Sequence, residues 1–176
     1  MENYESEYLL GLKYFQDNDV HSAIKHWENA AEINPKSAKI FSILGNAYKI
    51  LNEIDTSFQY IEKAANLEPE NFNYLYNLGL VFYENKRYKE SIQILEKARL
   101  VDKTNHELLN DLGVVYFKTN DYENAEIRIR QAMSLAEDYY VAKINLATVL
   151  LSAKKLVEAG IILSELEKIY GIDANI

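Results

Sequence analysis

The chain of 176 residues has no cysteine, only two prolines and only six glycines. Without a thiol, disulfide bonds, thiolate nucleophiles and thiolate metal sites are excluded. No run of 18 apolar residues occurs, so we predict no transmembrane helix. The acidic start, which includes Glu2 and Glu5, lacks the basic and apolar regions of a signal peptide. We therefore expect a cytoplasmic protein without membrane insertion.

Positive charge is also scarce, because the net charge is −8. An acidic chain is a poor partner for nucleic acid or for anionic lipid, and we expect neither. The third of the repeated segments described below is slightly basic. Its Lys86 and Arg87 leave open a local docking site for an acidic segment, although a solvated surface is the simpler interpretation.

Catalytic signatures are absent as well: no nucleophile elbow, dinucleotide fingerprint or phosphate-binding loop occurs. Of the three histidines, His21 and His26 are five residues apart and therefore miss the spacing that places two ligands on one helix face. We expect these two histidines and His106 to be solvated or to cap helices. The sequence thus predicts a non-enzymatic protein with no cofactor and no metal.

What the sequence does contain is a repeat with a step of 34 residues. An apolar pair recurs five times, with alanine replacing glycine in the last copy: Leu10-Gly11, Leu44-Gly45, Leu78-Gly79, Leu112-Gly113 and Leu146-Ala147. Such a period indicates one supersecondary unit copied in series, which buries its apolar faces against its neighbours.

Other columns keep the same register. The ring column holds Tyr14, Tyr48, Phe82, Tyr116 and Leu150. One small column holds Ala23, Ser57, Ser91, Ala125 and Ala159, and a second holds Ala30, Ala64, Ala98 and Ala132, with the large Leu166 at its fifth place. The bulky column holds Trp27, Ile61, Leu95, Ile129 and Leu163. Pro35 and Pro69 stand where a helix must end.

These columns resemble the tetratricopeptide repeat (TPR) over nearly the whole chain. The resemblance implies an all-α, right-handed solenoid of about five helix-turn-helix repeats and about ten antiparallel helices. We place the repeats at 4–37, 38–71, 72–105, 106–139 and 140–173, in a single domain with a tail at 174–176. Glycine within a helix costs about 0.5–1 kcal/mol, so we expect it to permit a close approach of the paired helices.

Turn and cap signals agree with the pairs. Short polar segments around Asn18, Asn52, Asn85 and Asn120 predict the turns between paired helices, because asparagine tolerates left-handed backbone angles. Asp19 and Asp121 are predicted caps of second helices, and Ser37 and Asn71 are predicted caps of the next repeats.

In this family a second stripe of the first helices lines a concave groove that contacts peptides. Carried over by position, the resemblance predicts binding residues Tyr8, Leu12, Phe15, Lys39, Ser42, Asn46, Lys49, Asn73, Tyr76, Asn77, Leu80, Tyr83, Asn110, Val114, Phe117 and Lys118. The same stripe in the fifth repeat holds Val141, Ile144, Thr148 and Leu151. Part of this aromatic character is equally explained by packing between repeats.

One variant of the family grips the carboxylate tail of heat-shock chaperones. Asn46 and Asn77 match its two asparagines, but Ser42, Glu107 and Asp111 stand where that variant has cations. We therefore expect a ligand with apolar or aromatic side chains, with or without a basic group, held extended by Asn46, Asn77 and Asn110.

A second predicted surface lies at the C-terminal end, where the last helix carries a wide apolar band. We expect this end to self-associate or to bind a partner through Ile161, Ile162, Leu166, Ile169 and Tyr170.

The leading hypothesis is a protein-protein interaction scaffold or adaptor that binds a peptide or protein segment in the groove. Three alternatives remain open: a homo-oligomeric assembly scaffold, a chaperone that holds a secretion or assembly substrate, and a regulatory domain of a larger enzyme.

Overall fold

The computed structural model describes residues 3–171, except for the side chains of Ile169 and Tyr170. The predicted tail at 174–176 and the end of the fifth predicted repeat lie outside these residues. The described chain is all-α and contains no strand; its helices are α1 (Tyr4–Gln16), α2 (Val20–Ile33), α3 (Ala38–Ile50), α4 (Ile54–Leu67), α5 (Phe72–Glu84), α6 (Tyr88–Val101), α7 (His106–Lys118), α8 (Tyr122–Leu135), α9 (Tyr140–Ser152) and α10 (Leu156–Tyr170).

The helices form two compact units, whose boundary falls within α5 between Val81 and Phe82. In unit 1, α1 packs on α2, α2 on α3, and α3 on α4. In unit 2, α6 packs on α7, α7 on α8, α8 on α9 and α9 on α10, and α7 also touches α9. Each unit is thus a series of neighbouring helices, as the repeat predicts.

The turns within the repeats share one backbone feature. In every repeat, the middle residue of the turn between the two paired helices has a positive φ: Asn18 (64°), Asn52 (60°), Lys86 (58°), Asn120 (62°) and Lys154 (61°). The three asparagines are those that the sequence indicates. In the third repeat the left-handed residue is Lys86 and not Asn85, because the geometry repeats at a step of 34 residues whatever side chain stands there.

The predicted helix ends are confirmed. The side chains of Asp19, Ser37 and Asp121 accept hydrogen bonds from backbone N–H groups three residues ahead, at 3.0, 3.4 and 3.1 Å. The Asn71 side chain accepts one from the N–H of Asn73 at 3.1 Å. These bonds satisfy donors that have no partner inside a helix.

The glycine column brings paired helices together, as expected. A Cβ at Gly11 would overlap the Trp27 indole, and one at Gly45 would overlap Ile61 Cγ1. At Gly113 it would lie 2.5 Å from Ile129 Cγ1. The small residues that face these contacts are buried in both units. Backbone proximity therefore offsets the helical cost of glycine.

The fifth repeat departs from this pattern. Leu163, in the bulky column, is exposed, whereas Leu166 is buried in the core with Ile162. Ala147 already carries the Cβ that the glycine column lacks, so a large side chain does not seat against α9 in the same way. Leu163 thus departs from its column, whose other members, Trp27, Ile61, Leu95 and Ile129, are all buried.

Candidate protein-binding surfaces

Unit 1 has an open cavity between α1 and α3 on the predicted binding face. Its volume is about 250 Å³, and its lining is Leu12, Phe15, Trp27, Ile43, Asn46, Ala47 and Ile50. Ile50 is 59% exposed at the rim. Asn46 is the one polar side chain in this lining. An apolar side chain can therefore enter the cavity, while an amide is available for a hydrogen bond beside it.

Aromatic packing fixes the walls around this cavity. The Phe15 ring lies 5.6 Å from the Trp27 ring, and Phe15 nevertheless keeps an exposed edge. Because Trp27 is only 2% exposed, it holds Phe15 from below. The cavity is therefore preformed, which lowers the entropy cost of binding.

Tyr8 and Lys39 form the next part of the predicted face. The Tyr8 ring stacks on Tyr4 at 6.3 Å, and Lys39 Nζ lies 4.3 Å from the centre of the Tyr8 ring. A hydrogen bond with Tyr8 raises the pKa of Lys39. Tyr8 thus packs on the next repeat, as the structural interpretation of these rings expects, while Lys39 stays exposed and charged.

The other predicted residues of unit 1 are accessible to different degrees. Lys49 and Asn73 are exposed, whereas Ser42, Tyr76, Asn77 and Leu80 are half-buried. The Tyr76 ring stacks on Phe72 at 5.6 Å. A partner of unit 1 would therefore meet mainly the cavity rim and the two lysines.

In unit 2 the rings at the predicted positions pack within their own repeats. Tyr83 lies 5.9 Å from Tyr88, and Phe117 lies 5.8 Å from Tyr122, at nearly equal tilts. Lys118 Nζ is 6.0 Å from the Phe117 ring centre. These contacts join the first helix of a repeat to the start of its second helix, so they support the fold whether or not a ligand binds.

The predicted ligand-binding role of Asn110 needs correction. This residue is 2% exposed, its Oδ1 accepts a hydrogen bond from Asn145 at 2.9 Å, and its Nδ2 donates to Asp111 at 3.3 Å. The amide is therefore committed to joining α7 to α9, and it is not available to a ligand backbone. The sequence did not signal this, because the partner lies 35 residues away on another helix.

The exposed apolar stripe of unit 2 lies instead on α9. Val141, Ile144 and Leu151 are each about half exposed and follow the helical spacing of one face. Val114 on α7 is half-buried. This stripe is where an apolar segment could bind to unit 2.

The predicted C-terminal surface also needs correction. Ile162 and Leu166 belong to the core of unit 2 and cannot form an interface. Ile161 is 58% exposed, and Leu156 and Val157, which the prediction omitted, are 65% and 80% exposed. The side chains of Ile169 and Tyr170 lie outside the described residues.

A buried polar cluster links α1 to α2 and was not foreseen. Glu7 Oε2 bonds to His26 Nδ1 at 2.8 Å and accepts from Asn29 Nδ2 at 3.0 Å. The hydrogen bond with His26 is the main cause that lowers the pKa of Glu7. The His26 ring stacks on Tyr14 at 5.1 Å. His26 is therefore neither solvated nor a cap, whereas His21 is exposed.

Within residues 3–171, no group of three or more His, Asp or Glu side chains is arranged to hold a metal ion. Among the helices of that same region, none combines the length and the apolar character needed to cross a bilayer.

Solved structures with the same fold come from several bacteria. MamA from Desulfovibrio magneticus RS-1, from residue 41 onward, has a TM-score of 0.89 and 15% identity, over 95% of this chain and 94% of that one. A tetratricopeptide repeat protein from Parabacteroides merdae has a TM-score of 0.90 and 17% identity, over 97% of this chain and 68% of that one. Pseudomonas aeruginosa PilF has a TM-score of 0.75 and 25% identity, over 90% and 72%.

No curated protein matches the chain. Three family models do: a tetratricopeptide repeat model matches residues 70–138, another matches residues 38–71, and a TPR repeat model matches residues 11–52. The matched segments carry the Leu-Gly pairs and small columns whose packing is described above. With the all-α fold of the solenoid class shared by the solved structures, they show that the chain belongs to the tetratricopeptide repeat family.

Proposed function

We propose that this protein is a non-enzymatic adaptor that binds an extended protein segment on the first helices of its repeats. The single observation that carries the proposal is the open cavity of about 250 Å³ between α1 and α3. It combines an apolar lining, a preformed aromatic floor and the Asn46 amide, which are the features of a pocket for one anchoring side chain.

The energetics favour a large apolar anchor. Burying one such side chain contributes about 1.5–3 kcal/mol. A hydrogen bond between Asn46 and the ligand backbone adds about 0.5–1.5 kcal/mol and selects an extended conformation. The exposed stripe of Val141, Ile144 and Leu151 gives unit 2 its own apolar surface.

A displayed library of random peptides tests the proposal without knowledge of the natural partner. Selected peptides are titrated by calorimetry against the wild-type protein and against Ile50→Asp, which places a charge at the cavity rim. Leu100→Asp is the matched control, because Leu100 on α6 is similarly exposed but does not line the cavity.

We expect selected peptides to share one large apolar residue and to bind Ile50→Asp at least tenfold more weakly, with Leu100→Asp unchanged. Equal weakening by both substitutions would contradict the proposal.

A chaperone would use the same surface but would prefer unfolded chains to short peptides. The cytoplasmic localisation stays a prediction.

Self-association through α10 is a second candidate, favoured by the exposure of Leu156, Val157 and Ile161 on one helix. Sedimentation velocity of the wild-type protein and of Val157→Asp tests it. A concentration-dependent dimer that the substitution abolishes is the expected result. A monomer at all concentrations in both proteins would rule the candidate out.

A further inference from the structure

A second cavity in unit 1 lies between α2, α3 and α4. Its volume is about 380 Å³, and its lining is Glu28, Ala31, Glu32, Phe41, Tyr60 and Lys63. None of these residues lines the apolar cavity between α1 and α3. It is therefore a separate site with polar walls and two aromatic rings.

One of its two carboxylates is held by tyrosine hydroxyl groups. Glu28 Oε1 accepts hydrogen bonds from the Tyr48 hydroxyl at 2.7 Å and from the Tyr60 hydroxyl at 3.5 Å. Among residues 3–171, no cationic side chain forms a salt bridge with Glu28 or Glu32. Lys63 instead places its Nζ 3.8 Å from the centre of the Phe41 ring.

Unit 2 contains the equivalent site, with each residue 68 positions later in the sequence. In unit 2, arginine side chains occupy the space beside the carboxylate. The Tyr116 hydroxyl donates to Glu96 at 3.2 Å, as Tyr48 does to Glu28. Two arginines complete the arrangement: Arg99 Nε lies 2.6 Å from Glu96 Oε2, and Arg128 Nη2 lies 3.0 Å from Glu96 Oε1.

The two arginines are the residues that unit 1 lacks. Ala31 stands at the position of Arg99, and Tyr60 at the position of Arg128. The short Ala31 side chain leaves space beside Glu28, and both residues line the cavity. Unit 1 thus keeps the carboxylate and its tyrosine but has an opening where unit 2 has guanidinium groups.

We propose that this cavity binds an arginine side chain of a partner protein. A planar guanidinium donates paired hydrogen bonds to a carboxylate, which Glu28 offers, and stacks on an aromatic ring. The Tyr60 ring is already stacked on Phe41 and Tyr48, so the ring that a guanidinium would contact is Phe41, in the place that Lys63 now occupies. Glu32 adds a second negative charge, and the net charge of −8 attracts a basic segment. The compact, strongly hydrated ammonium of lysine uses the same walls less well.

Lys63 is the competing cation, since it shares the cavity. It is exposed, so it can turn into solvent when a guanidinium enters. Lys63→Ala therefore removes a like charge from the site and should strengthen binding.

The test uses capped Ser-Arg-Ser, Ser-Lys-Ser and Ser-citrulline-Ser tripeptides, followed by the backbone amide NMR signals of Ala31 and Tyr60. Citrulline keeps the shape of arginine but has no charge. We expect saturable shifts with the arginine peptide and at least tenfold weaker binding of the other two. Equal binding of arginine and citrulline, or of arginine and lysine, would overturn the proposal.

Two variants locate the site. Ala31→Arg supplies one of the two arginines of unit 2, the one equivalent to Arg99, so it should abolish the shifts while raising the melting temperature, which separates blocking from unfolding. Glu28→Gln should weaken binding at least tenfold, whereas Glu70→Gln, an equal charge change at an exposed turn, should leave it unchanged. Wild-type affinity in Ala31→Arg would refute the assignment. The apolar cavity is untouched by these variants, so this result is independent of the proposed function.

Discussion

At the residue scale, the spacing of a helix pair depends on a missing methyl group. The Cβ that alanine would add at Gly45 collides with Ile61 Cγ1 and comes within 3.1 Å of the Ile61 backbone nitrogen. The Gly45 carbonyl also accepts a hydrogen bond from Ser57 at 2.7 Å. By contrast, a Cβ at Gly160 in α10 would meet nothing within 4 Å.

Alanine substitutions should therefore have opposite effects at these two glycines. We expect Gly45→Ala to lower the free energy of unfolding by about 1–3 kcal/mol, because it overpacks the contact. Gly160→Ala should raise it by about 0.4–1 kcal/mol, because it removes chain entropy from the unfolded state. Urea denaturation followed by circular dichroism measures both, and a stable Gly45→Ala would contradict the close-approach explanation.

The left-handed turn residues offer a second prediction at this scale. Lys154 has a φ of 61° and is exposed. A residue with a Cβ adopts the left-handed conformation at a cost of about 1–2 kcal/mol. Glycine avoids this cost, but its larger loss of backbone entropy on folding offsets about 0.5–1 kcal/mol of the gain.

Lys154→Gly should therefore raise the free energy of unfolding by about 0.5–1 kcal/mol. The matched control is Lys103→Gly, an exposed loop lysine without a positive φ, which should gain nothing. Thermal unfolding in calorimetry compares them, and an equal gain in both would show that the backbone angle is not the cause.

At the scale of helices, α1 is tied to α2 by the buried carboxylate of Glu7. Its hydrogen bonds to His26 and Asn29 lower the pKa of Glu7 below the ordinary value of 4.5. A carboxyl group with a lowered pKa in the folded state stabilises the fold above its ordinary pKa. That contribution is lost as the pH falls from 4.5 through the folded-state pKa.

Glu7→Gln should therefore be less stable than the wild-type protein at pH 7, and the difference should shrink below pH 4.5. Urea denaturation over this pH range provides the measurement. Glu5→Gln, on the exposed side of the same helix turn, is the control and should change little. A pH-independent difference would show that the charge of Glu7 is not what matters.

Much of the helix arrangement follows from the sequence, because its causes are local or periodic. The glycine and alanine columns predict the helix pairs, and Asn18, Asn52 and Asn120 predict their turns. The pairing of Glu7 with His26 does not follow, since the two residues occupy unrelated places in the repeat. The exposure of Leu163 and the burial of Leu166 do not follow either, because Ala147 breaks the glycine column on which their register depends.

At the scale of the whole molecule, helices contact their neighbours in series within each unit. In such an architecture a local defect weakens its own repeat and the adjacent one before it affects more distant ones. This expectation applies most directly to Gly113, whose missing Cβ admits Ile129.

Gly113→Ala should accelerate amide hydrogen exchange in α7 and α8, to a smaller extent in α9, and not in α1 or α2. Hydrogen exchange with mass spectrometry resolves these helices. Uniform acceleration along the chain would indicate that it unfolds as one cooperative body.

The binding surfaces were less predictable than the fold. Position in the repeat located the stripe that contains Leu12, Phe15 and Asn46, but it could not show that Asn110 is engaged by Asn145. The binding site beside Glu28 is recognised only by comparing residues two repeats apart, which shows that Ala31 and Tyr60 stand where unit 2 has two arginines. Each repeat keeps the same backbone, so its side chains decide which openings remain.

The chain contains a single tryptophan, and it forms the floor of the apolar cavity between α1 and α3. Because Trp27 is shielded from water but borders that opening, its ultraviolet emission arises from one defined place in the molecule. Occupation of the cavity should change the intensity or wavelength of this emission without any attached dye. The protein thus carries an intrinsic optical reporter of its own ligand.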